Sequence, residues 1–292
     1  MFTIVSHDAG GAEILSSFAL NYKNDISYVL DGPAIQIFNR KLGEIEIQDL
    51  EKAISNSDWV LTGTSWASTI ELNAIEISRK YNKKVISYLD HWVNYTERFL
   101  RGNKTILPDE IWVGDHYAFK LATNLFVGLK IVEQINPYII DIRNSLIQVE
   151  RFKVDKQILY VCEPIREHAL LKFGNERHWG YTEEDALRWF LNNFHKEFSN
   201  KTIKIRPHPS ESPDKYNWAF EEYGKVIKFS KGTTLLEDIA ESFMVVGCES
   251  MAMVIGLIAG KRVLCSIPPG GRPCSLPHRE IEHFQQILEA KN

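Results

Sequence analysis

Ile203-Lys204-Ile205-Arg206-Pro207-His208-Pro209, read with Val245-Val246-Gly247-Cys248-Glu249-Ser250, decides the fold. In each stretch a short apolar run stops at polar groups. Ile203 and Ile205 alternate with Lys204 as strand residues do. Pro207 and Pro209 then end ladder pairing and hold Arg206 and His208 in a stiff, extended turn. The second run ends at Gly247 and passes through Glu249 and Ser250 into the apolar stretch Met251 to Ala259, which reads as a buried helix. If the two strands are parallel members of one sheet, their C-terminal ends share the edge where open α/β sheets bind ligands. Arg206, His208 and a helix N-terminus at Ser250 would converge there, which suits a phosphate. The plainer alternatives are a rigid Pro-His-Pro turn and a helix cap at Ser250.

The same grammar runs through the first half. Phe2 to Ser6 reads as a strand, followed by His7-Asp8-Ala9-Gly10-Gly11 and a helix carrying Ile14, Leu15, Phe18 and Ala19. The pattern opens like a nucleotide- or sugar-binding domain but lacks G-x-G-x-x-G, so it does not read as a dinucleotide site. Gly10 and Gly11 would let a ligand approach the backbone. His7 and Asp8 would stand at the mouth of the cleft, Asp8 either as a helix cap or as a general base. Ile26 to Leu30 is a second strand, and Asp58 to Thr62 runs into the hydroxyl-rich turn Gly63-Thr64-Ser65 before a helix from about Thr69 to Tyr81. Lys84 to Leu89 is a strand entering Asp90-His91-Trp92-Val93-Asn94-Tyr95. An acid, an imidazole, an indole and an amide in succession suit the hydroxyls and faces of a sugar, with Trp92 the one most easily read as core. Arg98 and Arg101 follow, either to attract an anionic acceptor or as surface charges. A strand at Pro108 to Gly114, a helix at His116 to Leu125 and a short strand at Lys130 to Val132 complete this half, and the charged segment Asp141 to Asp155 reads as a crossover.

The second half restarts with a strand at Gln157 to Cys162, ending at Glu163-Pro164-Ile165-Arg166. The helix Glu183 to Phe198 puts Leu187, Phe190, Leu191, Phe194 and Phe198 on one face. Helices at Tyr216 to Tyr223, Leu235 to Ser242 and Met251 to Ala259 alternate with strands at Val226 to Phe229, Phe243 to Gly247 and Lys261 to Ile267, and a closing helix carries Ile281, Phe284, Ile287 and Leu288. Alternating strands and helices in both halves predict two Rossmann-like parallel-sheet α/β domains facing a central cleft, divided near residue 150 into 1–150 and 151–292.

Composition bounds the partners. The 292 residues carry 25% charged and 44% hydrophobic residues and a formal net charge of −4. This argues for a soluble globular protein and against a nucleic-acid surface. No apolar run reaches bilayer length and the N-terminus lacks a basic leader, so a cytoplasmic protein without a transmembrane segment is expected, with peripheral membrane contact left open. Cys162, Cys248, Cys265 and Cys274 have no C-x-x-C spacing, so neither zinc nor a disulfide framework is expected.

Two such domains resemble the GT-B class of glycosyltransferases. Gly247-Cys248-Glu249-Ser250 through Ala259-Gly260-Lys261-Arg262-Val263 looks like the GT-B donor-site pattern, in which an acidic or hydroxyl residue precedes a helix ending in Ala-Gly. Pro207-His208-Pro209 is similar to the His-Pro motif of bacterial sialyltransferases and capsule-type enzymes that use CMP-activated acidic sugars. The resemblance implies donor-phosphate binding by His208 and Ser250; the residues themselves add Arg206, Glu249 and Arg166 as expected donor contacts and Gly10, Gly11, Trp92 and Asn94 as expected acceptor contacts. The acidic pair-plus-glycine motif that supplies the base in several sialyltransferase families is absent, so Asp8 with His7, or Asp90 with His91, substitutes. The implied activity is inverting, metal-independent and cofactor-free transfer of a sugar from a nucleotide donor to a glycan acceptor in surface polysaccharide synthesis. A nucleotide-sugar epimerase, a CDP-polyol phosphotransferase and a non-catalytic nucleotide- or sugar-binding module are the competing readings.

Overall fold

The structure, a computed structural model, describes residues 1–22, 25–65, 67–149, 157–212 and 214–290. The chain divides into two compact units, Met1–Asp141 and Ile142–Asn292. The boundary expected near residue 150 falls outside the described residues.

In the first unit, β1 (Phe2–Ser6), β2 (Ile26–Leu30), β3 (Trp59–Thr62), β4 (Lys84–Leu89), β5 (Glu110–Val113) and β6 (Lys130–Glu133) form one sheet of order β2-β1-β3-β4-β5-β6. Every pairing in it is parallel. All five β1 residues are buried, as a sheet covered on both faces requires. The covering helices are α1 (Ala9–Asn21), α2 (Pro33–Leu42), α3 (Leu50–Asn56), α4 (Ile70–Lys80) and α5 (His116–Leu125), and α6 (Pro137–Val149) runs across the division between the units. Phe2 stacks on Trp59, with centroids 4.4 Å apart, in a core that also holds Ile4, Leu15 and Phe38.

In the second unit, β7 (Gln157–Val161), β8 (Thr202–Arg206), β9 (Ile227–Phe229), β10 (Met244–Gly247), β11 (Arg262–Cys265) and β12 (Ile281–His283) form a parallel sheet of order β9-β8-β7-β10-β11-β12. Its helices are α7 (Ile165–Phe173), α8 (Glu183–Asn193), α9 (His195–Phe198), α10 (Asn217–Tyr223), α11 (Leu235–Ala240), α12 (Met251–Ile258) and α13 (Phe284–Glu289). Leu187, Phe190 and Leu191 of α8 bury against Ile203, Ile205 and Val246. Among the described residues, no helix is long and apolar enough to cross a membrane.

The expected pair of parallel-sheet α/β domains is what the chain forms. Several elements differ. The segment read as a charged crossover contains most of α6, which buries Ile142 and Leu146. Helices α2, α3 and α7 add to the elements that the sequence pattern marks. Ile281, assigned to the closing helix, instead pairs with Val263 as a short edge strand. The long helix at Glu183 to Phe198 is two helices, α8 and α9.

Strand order reverses between β1 and β3 in the first sheet and between β7 and β10 in the second, and such switch points open a crevice at the strands' C-terminal ends. The strand carrying Arg206 lies one place beyond the second switch point. Its charge serves the fold. Arg206 Nη1 donates to Asp238 Oδ2 at 2.5 Å, to the Thr233 carbonyl and to Ser230 Oγ, while Lys204 Nζ reaches Asp238 Oδ1 at 2.9 Å. Burial alone would raise the Asp238 carboxyl, but hydrogen bonds from Ser230, Lys204, Thr233 and Arg206 hold it below the usual range. Asp238→Ala leaves the partly buried Arg206 without its carboxylate and Lys204 with Glu241 alone, so it should destabilise the fold by about 1–3 kcal/mol in a denaturant melt. A loss under about 1 kcal/mol would place those charges in water.

Candidate functional site

The first crevice gathers loops from three strands. β1 ends at Ser6, and His7 and Asp8 follow before α1. Asp8 occupies the N-cap position but its side chain makes no cap hydrogen bond. Its Oδ1 instead lies 2.7 Å from His7 Nδ1 and accepts from Ser65 Oγ at 2.6 Å. Ser65 is fixed by the N–H groups of Ala67 and Ser68, both donating to its hydroxyl. The other edge of the His7 ring packs on Gly32, where an added Cβ would lie 2.6 Å from Nε2. His7 is therefore clamped between Asp8 and Gly32, and Asp8 Oδ1 is held by two donors.

Asp90, after β4, leans over the end of β3. Its Oδ2 rests on Gly10, where a Cβ would stand only 2.0 Å away, so the glycine is needed for close approach rather than for an unusual φ. Its Oδ1 accepts from Arg98 Nη1 at 2.7 Å, and the same nitrogen donates to Thr64 Oγ1 at 2.8 Å. Arg98 is 6% exposed, so it is a buried tie between loops and not a surface charge. The aromatic run is also largely structural. Trp92 is buried, its Nε1–H donating to Asp115 Oδ2 at 2.9 Å. Asn94 takes the left-handed conformation (φ 56°) and its carbonyl accepts from the Arg98 N–H. His91 lies tilted against the Trp92 ring. Among the described residues the buried Tyr88 and Tyr95 hydroxyls have no hydrogen-bond partner, and burial pushes both phenols up.

Glu71, which the sequence reading passed over, lies beneath this crevice. It belongs to the first turn of α4 and is 3% exposed. Its Oε1 accepts from the His7 N–H at 2.8 Å, while the buried Oε2 and the neighbouring Ser6 Oγ have no partner among the described residues. Burial pushes its carboxyl up to about 7.

The second crevice is also closed from below by a glutamate. Glu163, two residues past β7, accepts at Oε1 from the N–H of Glu249 at 2.8 Å and of Cys248 at 3.2 Å. Burial pushes its carboxyl up to about 7 against those donors. Ser250 caps α12, its Oγ accepting from the Ala252 N–H. Glu249 turns away to Arg272 and Ser275, with Oε2 accepting from the Ser275 N–H at 3.0 Å. Beside Arg272 a cavity of about 450 Å³ is lined by Cys265, Cys274, His283, Gln285 and Gln286. His208 is held by Ser210 at Nδ1 (2.7 Å) and by Glu211, which accepts its backbone N–H. Burial, with the nearby His168, lowers the imidazole. Arg166 pairs with Glu184 at 3.3 Å and with Glu176 and Glu183 at 3.9 Å. The carboxylates of Glu167, Glu183 and Glu211 come together as a metal site would require. The ammonium of Lys215 already lies 2.7, 2.7 and 2.8 Å from them.

Asp8, Gly10 and Asp90 are thus brought together, as are Glu249 and Ser250. Arg206 is drawn off to Asp238. No family model matches the chain, and no curated protein matches it. Solved structures do. The putative UDP-N-acetylglucosamine 2-epimerase from Listeria monocytogenes superposes with a TM-score of 0.61 at 13% identity, over 90% of this chain and 78% of that one. The UDP-GlcNAc 2-epimerase from Neisseria meningitidis bound to UDP-GlcNAc gives 0.60 at 12% over 90% and 81%, and the Methanocaldococcus jannaschii enzyme 0.58 at 11% over 90% and 83%. The chain shares their GT-B-like fold of two parallel-sheet domains.

Glu71 offers a direct test of the first crevice. With its carboxyl pushed from 4.5 to about 7, the folded chain keeps a proton that the unfolded chain releases. Stability therefore falls as pH rises through that window. Glu71→Gln lacks this loss, so the variant's melting temperature should gain on the wild type's between about pH 5 and pH 8. A difference that does not change with pH would mean that Glu71 is not the group holding the proton.

Proposed function

We propose that the chain acts on a nucleotide-activated sugar, as an inverting, metal-independent glycosyltransferase whose base is Asp8. The observation that carries this is the Asp8 carboxylate itself. It stands at the first switch point, held at Oδ1 by His7 and Ser65, and among the described residues no hydrogen bond reaches Oδ2. A carboxylate fixed on one side and open on the other can take a proton from a hydroxyl. The acceptor O–H proton passes to Asp8 Oδ2 and the oxygen attacks the anomeric carbon. The bond from that carbon to the donor phosphate breaks, its electron pair leaving with the phosphate. Taken by itself, the second unit offers His208 and the β10–α12 turn as groups suited to a phosphate, and the cavity beside Arg272 has the size of a small-molecule site. The resemblance to enzymes using CMP-activated acidic sugars makes a CMP-sugar one donor to try, in surface polysaccharide synthesis.

A second reading is favoured by one specific finding: the three fold relatives named above are UDP-GlcNAc 2-epimerases. Epimerisation needs acid/base groups on both faces of a sugar, and Asp90 would supply the second.

The readings separate experimentally. Asp8→Asn should lose roughly 10²–10⁴ in transfer rate while nucleotide affinity, read by thermal shift, stays unchanged. Transfer that persists in Asp8→Asn removes the assignment. Isomerisation of UDP-GlcNAc without any acceptor, abolished by Asp8→Asn and by Asp90→Asn alike, would establish the epimerase instead. Transfer should also survive EDTA, and rescue of EDTA-treated protein by magnesium or manganese would overturn metal independence.

A further inference from the structure

In the second crevice the backbone donors that would cradle a phosphate are already in use. The N–H groups of Cys248 and Glu249 donate to Glu163, and that of Ser250 is directed at the same carboxylate. The nearby arginines are also engaged. Arg206 is bound to Asp238, Arg272 to Glu249 and Arg166 to Glu183 and Glu184. An anion arriving at α12 meets a resident anion on the same donors. We propose that Glu163 is the specificity-determining residue of the nucleotide site: it occupies the α12 cradle in place of a phosphate, and the ligand phosphate enters only as Glu163 takes up a proton and yields those N–H groups. This rests on the reading of the second unit as the nucleotide-binding one.

The geometry explains why a glutamate can do this. Glu163 follows β7 directly at the switch point, so its side chain reaches across to the turn after β10. An ionised carboxylate there is favoured by the N–H donors and opposed by burial and by the charge of Glu249, which leaves the group poised near neutrality. The other titratable groups facing it are Tyr160 from β7, Cys162 just past it, Tyr181 before α8, Cys248 from the turn and Cys274 from the loop after β11. Burial pushes Tyr160, Cys162, Tyr181 and Cys248 up, so they stay neutral. Cys274 is lowered by its hydrogen bond with Cys265. Protonation removes the repulsion between Glu163 and an incoming phosphate, so the anion binds the protonated protein better and binding draws in a proton.

The probes are UDP-N-acetylglucosamine, GDP-mannose and CMP-N-acetylneuraminate, whose phosphates do not titrate near neutrality. With Glu163 near 7, wild-type affinity by calorimetry should be about tenfold tighter at about pH 6 than at about pH 8, with proton uptake when two buffers of different ionisation heat are compared. Glu163→Gln should bind more tightly at the higher pH, vary less than about twofold across the range, and take up no proton through this group. The proton uptake is read on the wild type, so it holds even if the variant folds poorly. Wild-type binding that is pH-independent, or a folded Glu163→Gln that binds as the wild type does at both pH values, overturns this inference and leaves the nucleotide reading standing. Failure of both proteins to bind any of the three overturns both.

Discussion

Both units solve one problem in the same way. Where a parallel strand ends at a switch point, the next backbone N–H groups have no strand to pair with, and buried donors must find acceptors. In the first unit Glu71 takes the N–H of His7, and in the second Glu163 takes those of Cys248 and Glu249. Each glutamate comes from a different element than the turn it serves, so each also locks that turn to its neighbour. Each is pushed up to about 7, because the donors that favour its charge compete with burial that opposes it. The floors of the two crevices are therefore held by groups that sit between charge states at neutral pH. The rest of each site is arranged above them.

Above Glu71 the ties are electrostatic and short. Arg98 spends one nitrogen on Thr64 and Asp90 together, joining the end of β3 to the loop after β4, and Gly10 leaves room for Asp90 to close over the loop after β1. Three separate loops become one rigid surface this way. A buried guanidinium is costly to desolvate, and the cost is offset only because its partners are a carboxylate and a hydroxyl in fixed positions. The same logic holds Arg206 and Lys204 on Asp238, which is why the most conspicuous cation of the sequence supports the sheet.

Much of the fold was legible because a parallel strand buried on both faces leaves an unbroken apolar run, as in Phe2 to Ser6 and Gln157 to Val161. The elements that escaped lack that signal. In α6 Ile142 and Leu146 are buried while Ile140 and Ile147 are exposed, so its apolar residues mark no single face, and β12 is three residues long at the sheet edge. In the site, legibility ended with sequence distance. Asp8, Ser65 and Asp90 could be marked because each stands just past a strand. Their partners could not, since Ser65 is 57 residues from Asp8, Glu71 is 64 from His7 and Glu163 is 86 from Glu249. No local pattern distinguishes Glu71 from an ordinary first-turn glutamate that favours the helix dipole, or Arg98 from a surface charge.

The two aspartates of the first crevice are not equivalent, and the difference bears on the chemistry. Asp90 has Oδ1 on Arg98 and Oδ2 against the Gly10 backbone, so both oxygens are confined by the fold. Among the described residues Asp8 is held at Oδ1 alone, by an imidazole that can share its proton and a hydroxyl that is itself fixed by two N–H groups. A base must offer a free lone pair within about 3 Å of the proton it takes while the remainder of the group stays still. Asp8 meets both conditions and Asp90 meets only the second. One mobile proton site suits a single deprotonation, as sugar transfer requires. An epimerase would need Asp90 to be released from Arg98 or Gly10 first, so in that reaction Arg98 would have to move.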